Sequence, residues 1–336
     1  MENRDGGIAL LKVAAIIGVL IIHLCGGGGG AEIGSANWVT AIFYGSAARA
    51  SVPIFLMCSG ALLLPPRKEL TLKKLYMKNL LRIVAALFVW ALVYKISRMS
   101  EFSPAELLRS VKDVLLFRHE VHFYYLHMMI LIYVFLPITR TFVKNADKKQ
   151  LLYFLAVWFA VGILYPTLKP FYPFTLLSGF PLQWMLNMSY AAIGYGVLGY
   201  YLKTFPPSKR LTAASAAVGF SAIFIGTWVV SVKNGALYEH LLEGMGVFAC
   251  LLAVGLFGLL SRVKTRSRIV FFLSDASFCV YLVHLLVVRG LAKIGLTVAS
   301  APIIVSVPMM LAVVLAGSCA VYAVISRIPV LKKWLV

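Results

Sequence analysis

Acidic residues are scarce in this chain: 12 Asp and Glu stand among 336 residues, against 32 Lys and Arg. Charged residues of both signs make up only 13%, about half the roughly one-quarter that soluble domains carry. That shortage argues against a separate soluble domain, since the longest stretch between apolar runs covers only about 97–120. Cysteine is sparse as well. The five cysteines (Cys25, Cys58, Cys250, Cys279, Cys319) lie in or at the ends of apolar runs, where they act as small hydrophobes, so no disulfide is expected. The first apolar run lacks an A-x-A cleavage site, and the bulky residue before Cys25 in IHLC argues against lipoprotein processing.

What is abundant is apolar. The chain is 61% hydrophobic with a mean hydropathy of +0.90. Runs at about 8–25, 38–64, 80–96, 121–138, 151–166, 182–202, 211–232, 240–260, 268–290 and 303–326 approach the ~20 residues of a membrane-spanning helix. The expected fold is therefore all-α: a polytopic helix bundle of about ten transmembrane helices, forming one domain over 1–336.

The net charge of +20 would point to nucleic acid in a soluble protein, but its distribution here is topological. With a cytoplasmic N-terminus, 22 basic residues fall on the inner side, including Arg67, Lys68, Lys78, Arg82, Lys203 and Arg262. Nine fall on the outer side, and Arg49 lies within a span. The alternation loop by loop follows the positive-inside rule. Both termini are thus expected in the cytoplasm, with the protein multi-pass in the cell membrane, the lipid bilayer as its surroundings and no nucleic-acid partner. The outer segment 103–117 opens with Ser103-Pro104 and reads as a short amphipathic helix. Gly26–Gly30 reads as a flexible linker, with no strand–helix context for a phosphate loop.

Ionisable groups inside the apolar runs are costly and mark candidate sites. Lys12 and His23 are eleven residues apart, which returns to within about 20° of one helix face and separates them by roughly 16 Å. His23, His122 and His284 lie on three different spans at a similar outer depth, with His127 deeper. Neutral imidazole there suits general base work on a hydroxyl. No metal is expected: His122 and His127 are i,i+5, about 140° apart on a helix, so they cannot chelate one ion from one face. Arg49 needs either a carboxylate, with Asp275 and Glu243 as candidates, or an anion or acyl carbonyl.

Four blocks occur in a known order: LLKVAAIIGVLIIH (10–23), SVPIFLMCSGALLL (51–64), HFYYLHMMILIYVFLPITR (122–140) and SFCVYLVHLLVV (277–288). Together they resemble the integral-membrane acyltransferase family 3, particularly short forms that O-acetylate surface polysaccharides. The chain departs from the family pattern in places. Lys12 replaces the usual arginine, Ala9 an acidic residue, Asn79 the first arginine of an R-x-x-R pair ending at Arg82, and Tyr124 a tryptophan. The resemblance implies transfer of an acyl, most simply acetyl, group from cytoplasmic acyl-CoA (acetyl-CoA as co-substrate) to a hydroxyl of a surface glycan or lipid-linked sugar. On that reading Lys12, Lys78 and Arg82 hold the donor phosphates. His23 takes the acceptor proton or carries the acyl group, Arg49 or a neighbour polarises the carbonyl, and His284 and His122 complete the catalytic group. The competing classes are a secondary transporter or a non-catalytic membrane sensor. Against the former, no internal repeat is visible, and the interruptions at Pro53, 178–181, Pro302 and Pro308 do not pair between halves.

Overall fold

The computed structural model describes residues 4–66 and 70–335, so Arg67 and Lys68 of the charge tally lie outside the described residues. Among the described residues the regular structure is helical, without strands. The helices are α1 (Gly6–Leu24), α2 (Ala36–Ala48), α3 (Ser51–Leu63), α4 (Leu72–Lys74), α5 (Leu81–Ile96), α6 (Pro104–Leu115), α7 (Tyr124–Asn145) and α8 (Lys148–Phe159). They continue as α9 (Tyr165–Leu168), α10 (Met188–Thr204), α11 (Lys209–Asn234), α12 (Val247–Leu260), α13 (Arg268–Lys293), α14 (Ile303–Ile325) and α15 (Pro329–Leu335). The π-helical stretches Leu75–Leu80 and Ala160–Leu164 fuse α4 to α5 and α8 to α9.

Nine spans among the described residues are long and apolar enough to cross a bilayer. The tenth expected span is present as α10, but its 17 residues reach only about 25 Å, short of a ~30 Å hydrocarbon core. It is held by protein on several sides, packing against α3, α7 and α8.

The run 38–64 does not form one helix. It breaks at Arg49–Ala50 between α2 and α3. Pro53 supplies the reason: it has no N–H to donate to the Arg49 carbonyl four residues back, and its ring crowds that oxygen. A break at membrane depth is tolerable when protein surrounds it. Ala50 and Ser51 are buried, and the Ser51 hydroxyl donates to the Ala48 carbonyl at 2.6 Å.

Gly26–Gly30 is a turn rather than a flexible linker. Gly26–Gly28 form one turn of 3₁₀ helix, followed by Gly29 and Gly30 with φ of 69° and 73°. Gly28, at φ 82°, sits under the Trp38 ring, and any Cβ there would collide with the indole. The left-handed φ values and the indole together require glycine.

α1 runs through the centre of the bundle, against α2, α3, α12, α13 and α14. In lipid, close helix packing relies on small residues, since lipid tails are as apolar as the side chains they would meet. The α3–α10 contact follows that rule: Gly60 lies directly on the Gly196 backbone and Gly199 on that of Met57. We call the end where α1 begins the basic end and the end where it finishes the histidine end. At the basic end Asp5 caps α1, accepting from the Ile8 N–H at 3.0 Å, and pairs with Lys203 of α10 at 2.6 Å. Arg4 pairs with Asp275 of α13, and this hydrogen bonding raises the Arg4 guanidinium above its ordinary pKa. The amphipathic helix expected in 103–117 is α6, capped by the Ser103 hydroxyl and packed on α5.

Candidate active site

The last turn of α1, the 3₁₀ turn Val121–Phe123 ahead of α7, and the middle of α13 meet at the histidine end. There His23 and His284 have ring centroids 4.7 Å apart, and His122 lies 6.2 Å from His23 and 5.8 Å from His284. The three imidazoles that sequence placed at one depth are therefore in one cluster. His284 is fully buried, His122 is 5% exposed, and His23 is half-buried on the more open side. His127 stands apart, stacked on His119 at 5.4 Å.

Hydrogen-bond partners assign the tautomers of two members. His284 Nδ1 lies 2.7 Å from the Tyr281 carbonyl oxygen, which can only accept, so Nδ1 carries the proton and Nε2 the lone pair. His23 Nδ1 lies 2.8 Å from the Val19 carbonyl and 3.2 Å from His284 Nε2, two acceptors, so it too is the N–H. The lone pair of His23 is left on Nε2. A relay thus runs from His23 through His284 to the Tyr281 carbonyl, with the basic atom at its outer end. His122 is not part of that relay. Its ring packs on Tyr94 and Phe123, its carbonyl accepts the Tyr281 hydroxyl, and its buried Nε2 has no partner.

Arg49 occupies the break between α2 and α3, as the residue that caps α2. Neither expected carboxylate serves it: Asp275 is paired with Arg4, and Glu243 Oε1 lies 3.3 Å from His240 Nδ1. Arg49 Nε is buried without a hydrogen-bond partner.

Toward the basic end, a cavity of about 340 Å³ lies among α1, α3, α5, α7 and α13. Lys12 and Arg82 both line it, with Asn79, Tyr133, Tyr125 and Tyr281. Among the described residues no carboxylate lies within 4 Å of the Lys12 ammonium, and Arg82 sits 5.8 Å over the Phe278 ring. Two cations over a tyrosine-lined cavity fit an anionic ligand with an extended arm. Lys78 does not join them: it is exposed on the π-helical stretch and outside the cavity wall, and Asn79 takes the lining position. A π-helical stretch has more residues per turn than an α-helix, so successive side chains there are turned by less than 100°. Among the described residues no group of three His, Cys, Asp or Glu side chains is arranged to hold a metal.

Sequence reasoning passed over two groups. Tyr281 lies inside the YLVH block, whose histidine drew the attention, yet it touches the cavity, His122 and His284 at once. Glu120, two residues before His122, has a side chain only 7% exposed and bridges Arg98 at the end of α5 to Arg289 of α13. The proximity of an acid to His122 was the available signal.

The acyltransferase family 3 model, described as an acyltransferase domain, matches residues 5–324, so the chain belongs to that family. The chain is also 27% identical over 316 residues to a protein of Acidianus two-tailed virus named "Putative acetyltransferase ORF330", a match covering 88% of this chain and 87% of the relative. No solved structure matches it.

Proposed function

We propose that this membrane acyltransferase moves an acyl group, acetyl in the simplest case, from acyl-CoA at the basic end to a hydroxyl of a glycan or lipid-linked sugar at the histidine end. The basic end faces the cytoplasm and the protein works in the cell membrane. The positive-inside distribution of Lys and Arg supports the orientation. The name of the viral relative supports acetyl as the group.

One observation carries the mechanism: His23 keeps its Nε2 lone pair while its Nδ1–H is engaged by Val19 and His284. His23 Nε2 takes the proton of the acceptor hydroxyl as that oxygen forms its bond to the acyl carbon. The imidazolium that results is held by the same two acceptors, so its charge forms against oriented dipoles. Arg49 faces the negative charge that develops on the carbonyl oxygen. As the carbon–sulfur bond breaks, His23 returns the proton to the leaving sulfur and regains its neutral form. Lys12 and Arg82 hold the donor's phosphates by charge-assisted hydrogen bonds, and the arm of the donor lies along the tyrosine-lined cavity.

The test is release of free thiol from acetyl-CoA by purified protein in detergent with a glycan acceptor, compared between the native chain and His23→Ala. We expect the variant to keep its melting temperature while transfer falls about 10²–10⁴-fold; full activity in that variant overturns the assignment. Loss of an ester from surface glycans in a deletion strain identifies the acceptor.

A further inference from the structure

The wall of the proposed donor cavity and the histidine cluster are built from different residues. Neither His23, His122 nor His284 belongs to the cavity wall. On the cavity wall three rings from three helices meet, and Tyr281 among them also touches the cluster. Phe55 of α3 and Tyr125 of α7 have centroids 5.8 Å apart, and Tyr125 meets Tyr281 of α13 at 5.1 Å and 71°. All three line the cavity, and none is more than 7% exposed. Tyr281 lies 6.1 Å from His122 and 6.2 Å from His284.

We infer that Phe55, Tyr125 and Tyr281 form an aromatic gate that the acyl end of the donor must part to reach His23, and that the width it opens to selects the acyl group. The inference rests on the proposed reaction, because only a donor held below the layer and a base above it require passage. Tyr281 gives the gate a link to the cluster: its hydroxyl donates to the His122 carbonyl, and its own carbonyl accepts from His284 Nδ1 at 2.7 Å. Displacing the Tyr281 ring therefore pulls on the turn carrying His122, while the backbone carbonyl keeps hold of His284. Tyr125 and Phe55 have no hydrogen bond to the cluster among the described residues, so they are the rings that move at least cost to the relay.

The layer is tested separately from the chemistry. In the full chain with all five cysteines replaced by alanine, Ser59→Cys puts one thiol on the cavity wall, where the native hydroxyl donates to the Phe55 carbonyl. A charged, membrane-impermeant methanethiosulfonate is added to sealed vesicles of each orientation. With the gate intact, we expect labelling from the basic side alone. Tyr125→Ala and, independently, Phe55→Ala each remove one ring. They should raise the labelling rate from the histidine side about tenfold or more, since a close-packed layer passes no solute until a ring is gone. Tyr125→Phe, which keeps the ring, should restore one-sided labelling. Equal labelling from both sides with all rings present, or no rise in either alanine variant that still labels from the basic side, overturns the gate. In the catalytic arm, Tyr125→Ala should raise kcat/KM for butyryl-CoA relative to acetyl-CoA about tenfold, the scale of discrimination one or two methylenes allow. An unchanged ratio overturns acyl selection. If the native chain transfers no acyl group at all, the proposed reaction falls, and the labelling still decides the barrier.

Discussion

His284 Nε2 lies 3.2 Å from His23 Nδ1, and the opposite nitrogen of His284 is fixed 2.7 Å from the Tyr281 carbonyl. The fully buried imidazole therefore orients the half-buried one. Replacing His284 by alanine leaves His23 with Val19 alone as its Nδ1 acceptor. We expect kcat to fall about 10²-fold with KM for the donor little changed, against about 10²–10⁴-fold for His23→Ala, the range of general base catalysis. Steady-state kinetics on the purified variants checks both, and a native kcat in His284→Ala would remove the relay from the mechanism.

The same pair sets the sign of the pH dependence. His23 must be neutral to accept a proton at Nε2, and a second proton on His284 would set two N–H groups against each other. Activity should therefore fall as pH is lowered and level off on the alkaline side. The residual activity of His23→Ala should lack that acid limb. A pH–rate profile of kcat/KM for both proteins measures it, and an acid limb persisting unchanged in the variant assigns the titration to another group.

The cavity wall divides the three basic residues that sequence grouped together. Lys12 and Arg82 line the cavity, and Lys78 is exposed outside its wall. Lys12→Gln and Arg82→Gln should each raise KM for acyl-CoA about tenfold, the scale of one charge-assisted hydrogen bond, while Lys78→Gln stays within about twofold. An equal effect from all three would place the phosphates on the surface of the π-helical stretch rather than over the cavity.

Packing of α3 on α10 makes an asymmetric prediction. A Cβ on Gly60 would run into the Gly196 backbone, whereas a Cβ on Gly196 meets only the Gly60 Cα at 3.9 Å. Gly60→Ala should lower the melting temperature by several degrees, following the ~1–3 kcal/mol cost of forcing volume into a packed contact, and Gly196→Ala should leave it nearly unchanged. Thermal unfolding in detergent compares the two.

Much of this architecture was legible along the chain because the bilayer constrains it severely. Apolar length gave the spans, and Ser103-Pro104 gave the start of α6. The depth of each polar group followed from its place in its run, which is why His23, His122 and His284 could be grouped before any contact was known. Where local chemistry departs from a regular α-helix, the reading was coarser. Pro53, an interruption visible in the sequence, divides the second span into α2 and α3; Gly26–Gly30, expected as a flexible linker, form a turn with Gly28 against Trp38; and Asn79 rather than Lys78 lines the cavity beside Arg82.

The sequence by itself determined that this chain is a bundle of apolar helices whose first span carries a costly basic group and an imidazole eleven residues apart on one face. Periodicity and hydropathy are properties of one helix at a time, and they suffice for that. Only the tertiary structure decided which partners those groups have. Asp275 goes to Arg4 rather than to Arg49, His284 rather than His122 takes the His23 N–H, and Phe55, Tyr125 and Tyr281 meet on the cavity wall with Tyr281 against the cluster. Those outcomes depend on how the helices cross and rotate against one another, which is set by contacts such as Gly60 on Gly196 between residues 136 positions apart.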